Sequence, residues 1–415
     1  MAEFYQIQCP LSRKIKLRHY PKFDFLDKST QNLYIQAVFL THKYVLLPTK
    51  RQHQELDAIC EEQRQLYNGA LWARNWAYEK TKKVLTLYDQ YKELTEWRQK
   101  DQDASKLPSN LQRWTLRRLD NAFKAFLGHA KDKSDRWGKP RYRSSERWHS
   151  FRFAAFAGIA LNKNRIKFKG LSSSVKIHFH RPLPKDSEIK SCVFTKIADH
   201  WYVSFQFKVD TPEKLSRIDK AIGIDVGLNN FIFGSDGSCV PNPRFARKAE
   251  KKVAECNRRL ARCKRGSKRR KKVKLQLTKA HLAVKNARKT FLHQWSRALV
   301  DKYDLICHED LKIANMAKSN MAKSIYDAGW ATFFRYIAYK AEGAGKYVRV
   351  VDSRFTSQEC PGCGMIRRKS LADRIHNCES CGLEMDRDHA AAKVILSRGV
   401  VVPGLVAENI GLGSN

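Results

Sequence analysis

The sequence contains no apolar run approaching the ~18 residues needed to cross a bilayer, so no membrane-spanning helix and no membrane partner are expected. Its first residues, MAEFYQIQCPLSRKIKLRHYPKF, lack the apolar core of a secretion signal. A cytoplasmic, nucleoid-associated protein with reduced thiols is therefore expected. No internal repeat recurs along the chain. Acidic residues are scarce: 41 Asp and Glu face 80 Lys and Arg, for a formal net charge of +39. A compact chain this basic repels itself unless a polyanion neutralises it. Nucleic acid is the natural counterion, because each neutralised phosphate releases condensed cations. A merely well-solvated basic surface does not account for a surplus spread along the whole chain. Hydrophobic residues at 42% and aromatics at 11% exclude wholesale disorder. The 415 residues leave room for about two to four domains.

Residues 1–50 are strand-like and basic, ending in the turn Leu47-Pro48-Thr49-Lys50. From 51 to about 130 the apolar period becomes helical. Leu56, Ile59, Cys60, Leu66, Leu71 and Trp72 mark one stripe. A second helix opens at Pro108-Ser109, with Ser109 as its N-cap and Gly128 as its stop, and carries Leu111, Trp114, Leu116, Leu119, Ala122, Phe123 and Phe126. Most of these aromatics are expected in the core, a few stacked on bases. After Trp137-Gly138-Lys139-Pro140-Arg141-Tyr142-Arg143 the pattern alternates with period two through Phe207, predicting a small antiparallel barrel. If the N-terminal strands pair with it, the helical block is an insertion. Ala221 to Gly227 reads as a buried strand ending at Asp225, and Asp304 to Glu309 as another ending at Glu309. Between them, 244–290 predicts a basic helical hairpin broken near Gly266-Ser267, with Arg258, Arg259, Arg262, Lys268, Arg269 and Arg270 facing phosphate. A solvated charged helix is the alternative, weakened by the near absence of acidic i,i+4 partners. Residues 323–343 form a helix with Trp330, Phe333, Phe334, Ile337 and Tyr339 as its apolar side, and 347–351 a further strand.

Seven cysteines, Cys9, Cys60, Cys192, Cys239, Cys256, Cys263 and Cys307, have no short paired spacing and read as structural. Cys360, Cys363, Cys378 and Cys381 form C-x2-C…C-x2-C with fourteen residues between the pairs. Four thiolates at that spacing close a tetrahedral zinc site with no open position, and Gly364 and Gly382 permit the knuckle turns. Such a site is structural and holds together a segment too small for its own core. A dithiol redox pair is the alternative, but neither pair sits in a thioredoxin-like context. Carboxylates at the ends of adjacent strands suit hard divalent cations. Two such ions ~4 Å apart serve in-line phosphodiester hydrolysis. Asp388 precedes the helical run Ala390 to Ile395, where a plain N-cap would look the same.

The stretches G-I-D-V-G-L at 223–228, H-E-D-L at 308–311 and R-D-H-A-A-A-K-V-I at 387–395 resemble the three split motifs of a RuvC-like nuclease. With the cysteine knuckles between the second and third, the layout resembles the TnpB family of transposon-associated RNA-guided nucleases, related to the miniature type V CRISPR effectors. Further matches are L-P-T-K at 47–50, G-K-P-R-Y-R at 138–143, D-A-G-W at 327–330, Y-K-A-E at 339–342 and S-Q-E-C at 357–360. The resemblance implies an α/β multidomain protein: an RNase H-like (RuvC) nuclease domain, a β-barrel wedge domain, an inserted helical recognition domain and a zinc-ribbon-like insertion. The implied division is wedge 1–50 and 136–215, recognition 51–135, nuclease 216–354 and 385–402, zinc insertion 355–384, and a flexible tail 403–415. It implies a guide RNA, a double-stranded DNA target beside a short recognised motif, structural Zn²⁺ and two catalytic Mg²⁺. By motif, Asp225, Glu309 and Asp388 are the metal ligands, and Asp386 is not. Lys139, Arg141 and Arg143 join the hairpin cations as nucleic-acid contacts. The family's third motif usually reads D-x-N-A-A-x-N, whereas Ala390 and Val394 stand here in place of both asparagines. The chain also begins roughly 35 residues before the family's usual first strand.

A compact type V CRISPR effector is the alternative within this class, and a cleavage-deficient RNA-guided repressor the alternative outside it. Loss of an acidic ligand would favour the repressor, and all three are present. The order Asp, Glu, Asp, with cysteines between the last two, argues against a DDE transposase or resolvase.

Overall fold

The structure, a computed structural model, describes residues 38–131, 138–184, 187–210, 212–316, 318, 320–369 and 373–400. The segment before the first strand, including Cys9, and the tail after 400 lie outside the described residues.

Strand β1 (Val38–Leu47) runs directly into α1 (Lys50–Thr81). Thr49 of the L-P-T-K motif makes the join: its Oγ1 accepts from Gln52 N at 3.3 Å while Gln52 Oε1 accepts from Thr49 N at 2.9 Å, a reciprocal cap that satisfies two orphan donors. Helices α2 (Leu87–Lys100) and α3 (Ser109–Lys131) follow. Helix α3 starts at Ser109 itself and passes through Gly128, so neither residue plays the boundary role expected of it. Only one side of α1 can face the core. Leu71 is buried and Trp72, one position and 100° further round, is 57% exposed, so the tryptophan does not belong to the apolar stripe. Buried Arg74 donates to Gln90 Oε1 at 2.8 Å and Asp120 Oδ1 at 3.1 Å, tying the three helices together through one satisfied network.

Six more strands complete the first sheet: β2 (Ser150–Phe153), β3 (Ile159–Asn162), β4 (Arg165–Phe168), β5 (Val175–His178), β6 (Glu188–Ile197) and β7 (His200–Val209). The order is β2-β6-β7-β1-β5-β4-β3, antiparallel throughout, with β1 between β7 and β5. The helices α1 to α3 thus interrupt one sheet. The expected closed barrel is an open half-barrel, since β2 and β3, at the two ends of the order, do not pair with each other among the described residues. It curls enough that Phe153 of β2 meets Phe168 of β4 with ring centroids 4.9 Å apart. That aromatic interior merges with α1 and α3 into one core containing Leu56, Leu111, Phe194 and Trp201.

The second sheet comprises β8 (Ala221–Asp225), β9 (Asn230–Gly234), β10 (Cys239–Pro241), β11 (Leu305–Glu309) and β12 (Tyr347–Val351), ordered β10-β9-β8-β11-β12. The first three form an antiparallel meander, whereas β8, β11 and β12 are parallel. Parallel strands need covered faces, and the residues of β11 before Glu309 are buried on both sides. One face carries α5 (Lys268–Lys302), α6 (Ile313–Met316), α7 (Ala322–Ala328) and α8 (Trp330–Glu342), with Leu292, Phe333 and Ile337 packed on Ile222 and Ile306, while α4 (Phe245–Ala261) packs on α5. Gly329, at φ +75°, divides the single helix expected over 323–343 into α7 and α8, and Tyr339 points outward rather than into the core. Hairpin β13 (Ile375–Asn377) with β14 (Glu384–Asp386) lies in the cysteine region, and α9 (Arg387–Val400) covers the other sheet face. Cys239 is exposed, unlike the buried Cys60, Cys192, Cys256 and Cys307.

Candidate active site and metal centre

Parallel neighbours deliver their last residues to the same sheet edge. In β8 and β11, Ile224 is opposite His308, so the next residues, Asp225 and Glu309, leave their strands side by side. Asp388 reaches them from the first turn of α9. That helix lies unusually close to β8: a Cβ on Gly223 would stand 2.2 Å from Ala392 O and 2.6 Å from Leu396 N. A Cβ on Gly399 would likewise meet Cys307 Sγ at 2.2 Å. Two glycines, one on the strand and one on the helix, therefore allow the contact that brings the third carboxylate to the first two. Ala390 and Val394, where the family's asparagines would stand, are both buried against this sheet and are apolar as that setting favours.

Burial pushes the Asp225 carboxyl well above the usual carboxylate range, and the Glu309 and Asp388 carboxylates push it further. Burial also raises Glu309, opposed by a hydrogen bond from Thr356 and by the Arg398 guanidinium. Carboxyls that resist ionising beside one another are a setting a divalent cation relieves. Their oxygens do not close to within 4.8 Å of one another. Among the described residues the four cysteine sulfurs are the set of His, Cys, Asp and Glu ligand atoms that does.

Asp386 settles what Asp388 is not doing. Asp386 Oδ1 accepts from Asp388 N at 2.8 Å and His389 N at 3.1 Å, so the helix cap falls two residues earlier. The Asp388 carboxylate, paired with Arg387 at 3.5 Å, is not spent on capping α9. Sequence reasoning missed Thr356, a buried residue whose hydroxyl donates to Glu309 Oε1 and which lies 3.2 Å from Ser353 O. No local pattern could reveal it, because the partners are 47 residues apart.

The cysteine knuckles are built as their spacing requires. Gly364 N donates to Cys360 O at 2.9 Å and Gly382 N to Cys378 O at 2.8 Å, with both glycines at positive φ. Cys360 and Cys381 sulfurs are 3.6 Å apart, Cys363 and Cys378 sulfurs 3.5 Å. Tetrahedral zinc at ~2.3 Å from each sulfur implies edges of ~3.8 Å, so the residues fit a metal ion with little movement. The segment leaves Phe355, Met365, Ile366 and Ile375 exposed, so its fold is expected to depend on the metal. Cys378→Ser is expected to remove about one bound zinc per chain. It should expose the segment between Thr356 and Asp386 to limited proteolysis while the two large sheets stay resistant. Zinc assay and peptide mapping read this directly, and an intact segment in a zinc-free protein would refute it.

Family profiles match three stretches. One described as a helix-turn-helix domain of the OrfB_IS605 type covers 39–83, one described as a probable transposase, OrfB_IS605, covers 204–320, and one described as a Cas12f1-like TNB domain covers 330–395. A candidate RNA-guided DNA endonuclease of Streptomyces pristinaespiralis is 29% identical over 372 residues, spanning 88% of this chain and 90% of its own length. These matches make the chain similar to the TnpB family. The TnpB-like protein L79 of Acanthamoeba polyphaga mimivirus is 30% identical over 214 residues, spanning 48% of this chain and 41% of its own length. A solved Cas12f1–sgRNA–target DNA complex superposes with TM-score 0.52 at 13% identity, covering 84% of this chain and 83% of that one, a likeness of fold. The stretch matching the helix-turn-helix description is here a strand and one 32-residue helix, β1 and α1.

Several motifs shared with the TnpB family have structural duties. Asp327 of D-A-G-W accepts from Ala246 N at 2.9 Å, holding the first turn of α4, and pairs with Arg288. The backbone of Arg143 in G-K-P-R-Y-R docks on Asn68 at 2.8 and 3.0 Å, leaving Lys139 and Arg141 exposed. In the basic hairpin Arg258, Arg259, Arg262, Lys268 and Arg269 are exposed around the α4–α5 turn. Arg270 Nη1 donates to Leu260 O at 2.7 Å and Cys263 O at 3.2 Å, closing the end of α4, which leaves its Nε and Nη2 donors for other partners. Trp72 and Trp76, both exposed, stack on each other with ring centroids 6.0 Å apart on the outer face of α1. A cationic cluster that the sequence did not reveal brings Lys43 of β1 near α5. Burial with Lys289 and Lys285 of α5 holds Lys43 of β1 down to about 8.

Proposed function

We propose that this chain is a transposon-associated, RNA-guided endonuclease that hydrolyses double-stranded DNA beside a short recognised motif, with Asp225, Glu309 and Asp388 as its catalytic metal ligands. The observation that carries this is the meeting of those carboxylates from β8, β11 and α9 at one sheet edge, in a family whose relatives are named for guided DNA cleavage. Asp225, Glu309 and Asp388 would hold Mg²⁺, which when bound supplies an activated water and charge stabilisation for the leaving 3′ oxygen. The chain's own contribution is to hold Asp225 and Glu309 on rigid strand ends, to leave Asp388 free by capping with Asp386, and to fix Glu309 through Thr356. The Cys360–Cys363–Cys378–Cys381 site is read as a structural zinc in a target-binding insertion. The half-barrel and helices α1 to α3 are read as wedge and recognition domains. Lys139, Arg141, Arg143 and the hairpin cations, Arg270 through its remaining donors, are read as phosphate contacts.

The test is to purify the protein with co-bound RNA, sequence that RNA, and assay cutting of a matching duplex with Mg²⁺. Absence of bound RNA would sink the guided reading. The Cas12f1-like match over 330–395 favours one second reading, a compact CRISPR effector. RNA carrying a CRISPR-type repeat instead of a transposon end would select it.

Lys43 of β1, beside Lys285 and Lys289 of α5, is read as a further phosphate contact, which predicts pH-dependent binding. A cation held near 8 in the free protein is returned toward its ordinary range by phosphate, so binding takes up protons. RNA affinity is expected to fall as pH rises from 7 to 9, and Lys43→Arg to flatten that slope in filter-binding titrations. An unchanged slope would remove Lys43 from the interface.

A further inference from the structure

We infer that Thr356 is the positioning residue of the nuclease centre: its hydroxyl selects the orientation in which Glu309 meets a divalent cation. The inference rests on reading Glu309 as a metal ligand. Thr356 is 3% exposed, and a buried hydroxyl must find a partner. Ser353 O, 3.2 Å away, would satisfy it, yet the closer acceptor is Glu309 Oε1. Donation to one carboxylate oxygen fixes the plane of the group and leaves the other oxygen for a metal.

The loop bearing Thr356 is held at several points. It leaves β12, whose Val351 is paired with Glu309 itself. Arg398, in the last turn of α9, donates through Nη1 to Asp352 O and Arg354 O, both at 2.8 Å, and pairs with Glu359. Gln358 N and Glu359 N close on Phe355 O at 2.8 and 2.9 Å, with Phe355 in left-handed backbone at φ +62°. A non-glycine residue keeps that conformation only where its surroundings hold it there. Four residues after Thr356 comes Cys360, whose amide donates to Met365 O at 2.9 Å within the first knuckle. Thr356 is therefore gripped between the helix that carries Asp388 and the first cysteine knuckle, and a residue so placed holds one rotamer.

The test compares Thr356→Val, Thr356→Ser and Asp225→Ala in the full-length RNA-bound protein. It reads Mn²⁺ binding by calorimetry, zinc content, and cleavage against Mg²⁺ concentration. Valine keeps the shape and removes the donor. Mn²⁺ affinity should fall about tenfold in Thr356→Val, with a matching rise in half-saturating Mg²⁺, and stay within about twofold in Thr356→Ser. Zinc content should not change in either. Parent-like Mn²⁺ binding by Thr356→Val, or loss of zinc from it, would overturn the assignment. If Asp225→Ala also leaves Mn²⁺ binding intact, the carboxylate centre itself is misplaced. If Asp225→Ala weakens binding and Thr356→Val does not, the centre stands and only Thr356 is excluded.

Discussion

Asp225→Ala is expected to lower guided cleavage by about a thousand-fold or more, because each metal ligand supports several kcal/mol of transition-state charge stabilisation. Binding of RNA and target should stay within about twofold, since that affinity resides in cations spread over many phosphates. The same substitution should not destabilise the metal-free protein. Asp225 is raised well above the usual carboxylate range by burial and by Glu309 and Asp388, so its ionised form is a burden at neutral pH. The sign follows: a carboxyl whose folded pKa exceeds its unfolded one opposes folding increasingly as pH rises above the unfolded value. Single-turnover cleavage and chemical denaturation with chelator present measure both halves. Cleavage retained by Asp225→Ala would remove the proposed centre, and a marked loss of chelated stability would show Asp225 to be structural instead.

The second large effect belongs to a residue with no side chain. Gly223→Ala should cost about 3 kcal/mol, at the upper end for overpacking, because the added Cβ meets backbone atoms that cannot rotate away. Ala392 O at 2.2 Å and Leu396 N at 2.6 Å both belong to α9, so the helix must retreat and carry Asp388 with it. Cleavage should therefore fall with stability, beyond what the unfolded fraction explains. Gly69 provides the control: it lies in α1 with nothing within 4 Å of where a Cβ would stand, and Gly69→Ala should stabilise by ~0.5–1 kcal/mol. Urea midpoints for the two variants should move in opposite directions. A Gly223→Ala protein as stable as its parent would mean that α9 does not pack on β8 as described.

Much of this was legible along the chain. The strands ending at Asp225 and Glu309 show as apolar runs, and the break at Gly266-Ser267 is real, with Gly266 at φ +82° and Ser267 capping α5. The cysteine spacing announced a four-sulfur cluster, because a knuckle is complete within five residues. Two of the misreadings share one cause. Trp72 and Tyr339 are apolar at plausible helical positions, yet a helix has only one buried side. Which side is buried depends on the sheet beneath it. Gly128 and Ser109 were expected to bound α3, but Pro108 supplies the first helical carbonyl and an exposed glycine only weakens a helix without ending it. The open edge between β2 and β3 could not be read from alternation, which predicts strands and not closure.

Sequence by itself determined the charge that demands a polyanion, the sulfur cluster, and the acidic residues placed where strands end. These are properties of composition and short spacing, and they survive any arrangement of the rest. Only the tertiary structure decided that Thr356 grips Glu309, that α9 packs on β8 at Gly223 and that Asp327 holds the first turn of α4. Those roles depend on which group a residue meets once water is excluded, and that partner is chosen by packing between elements far apart in the chain.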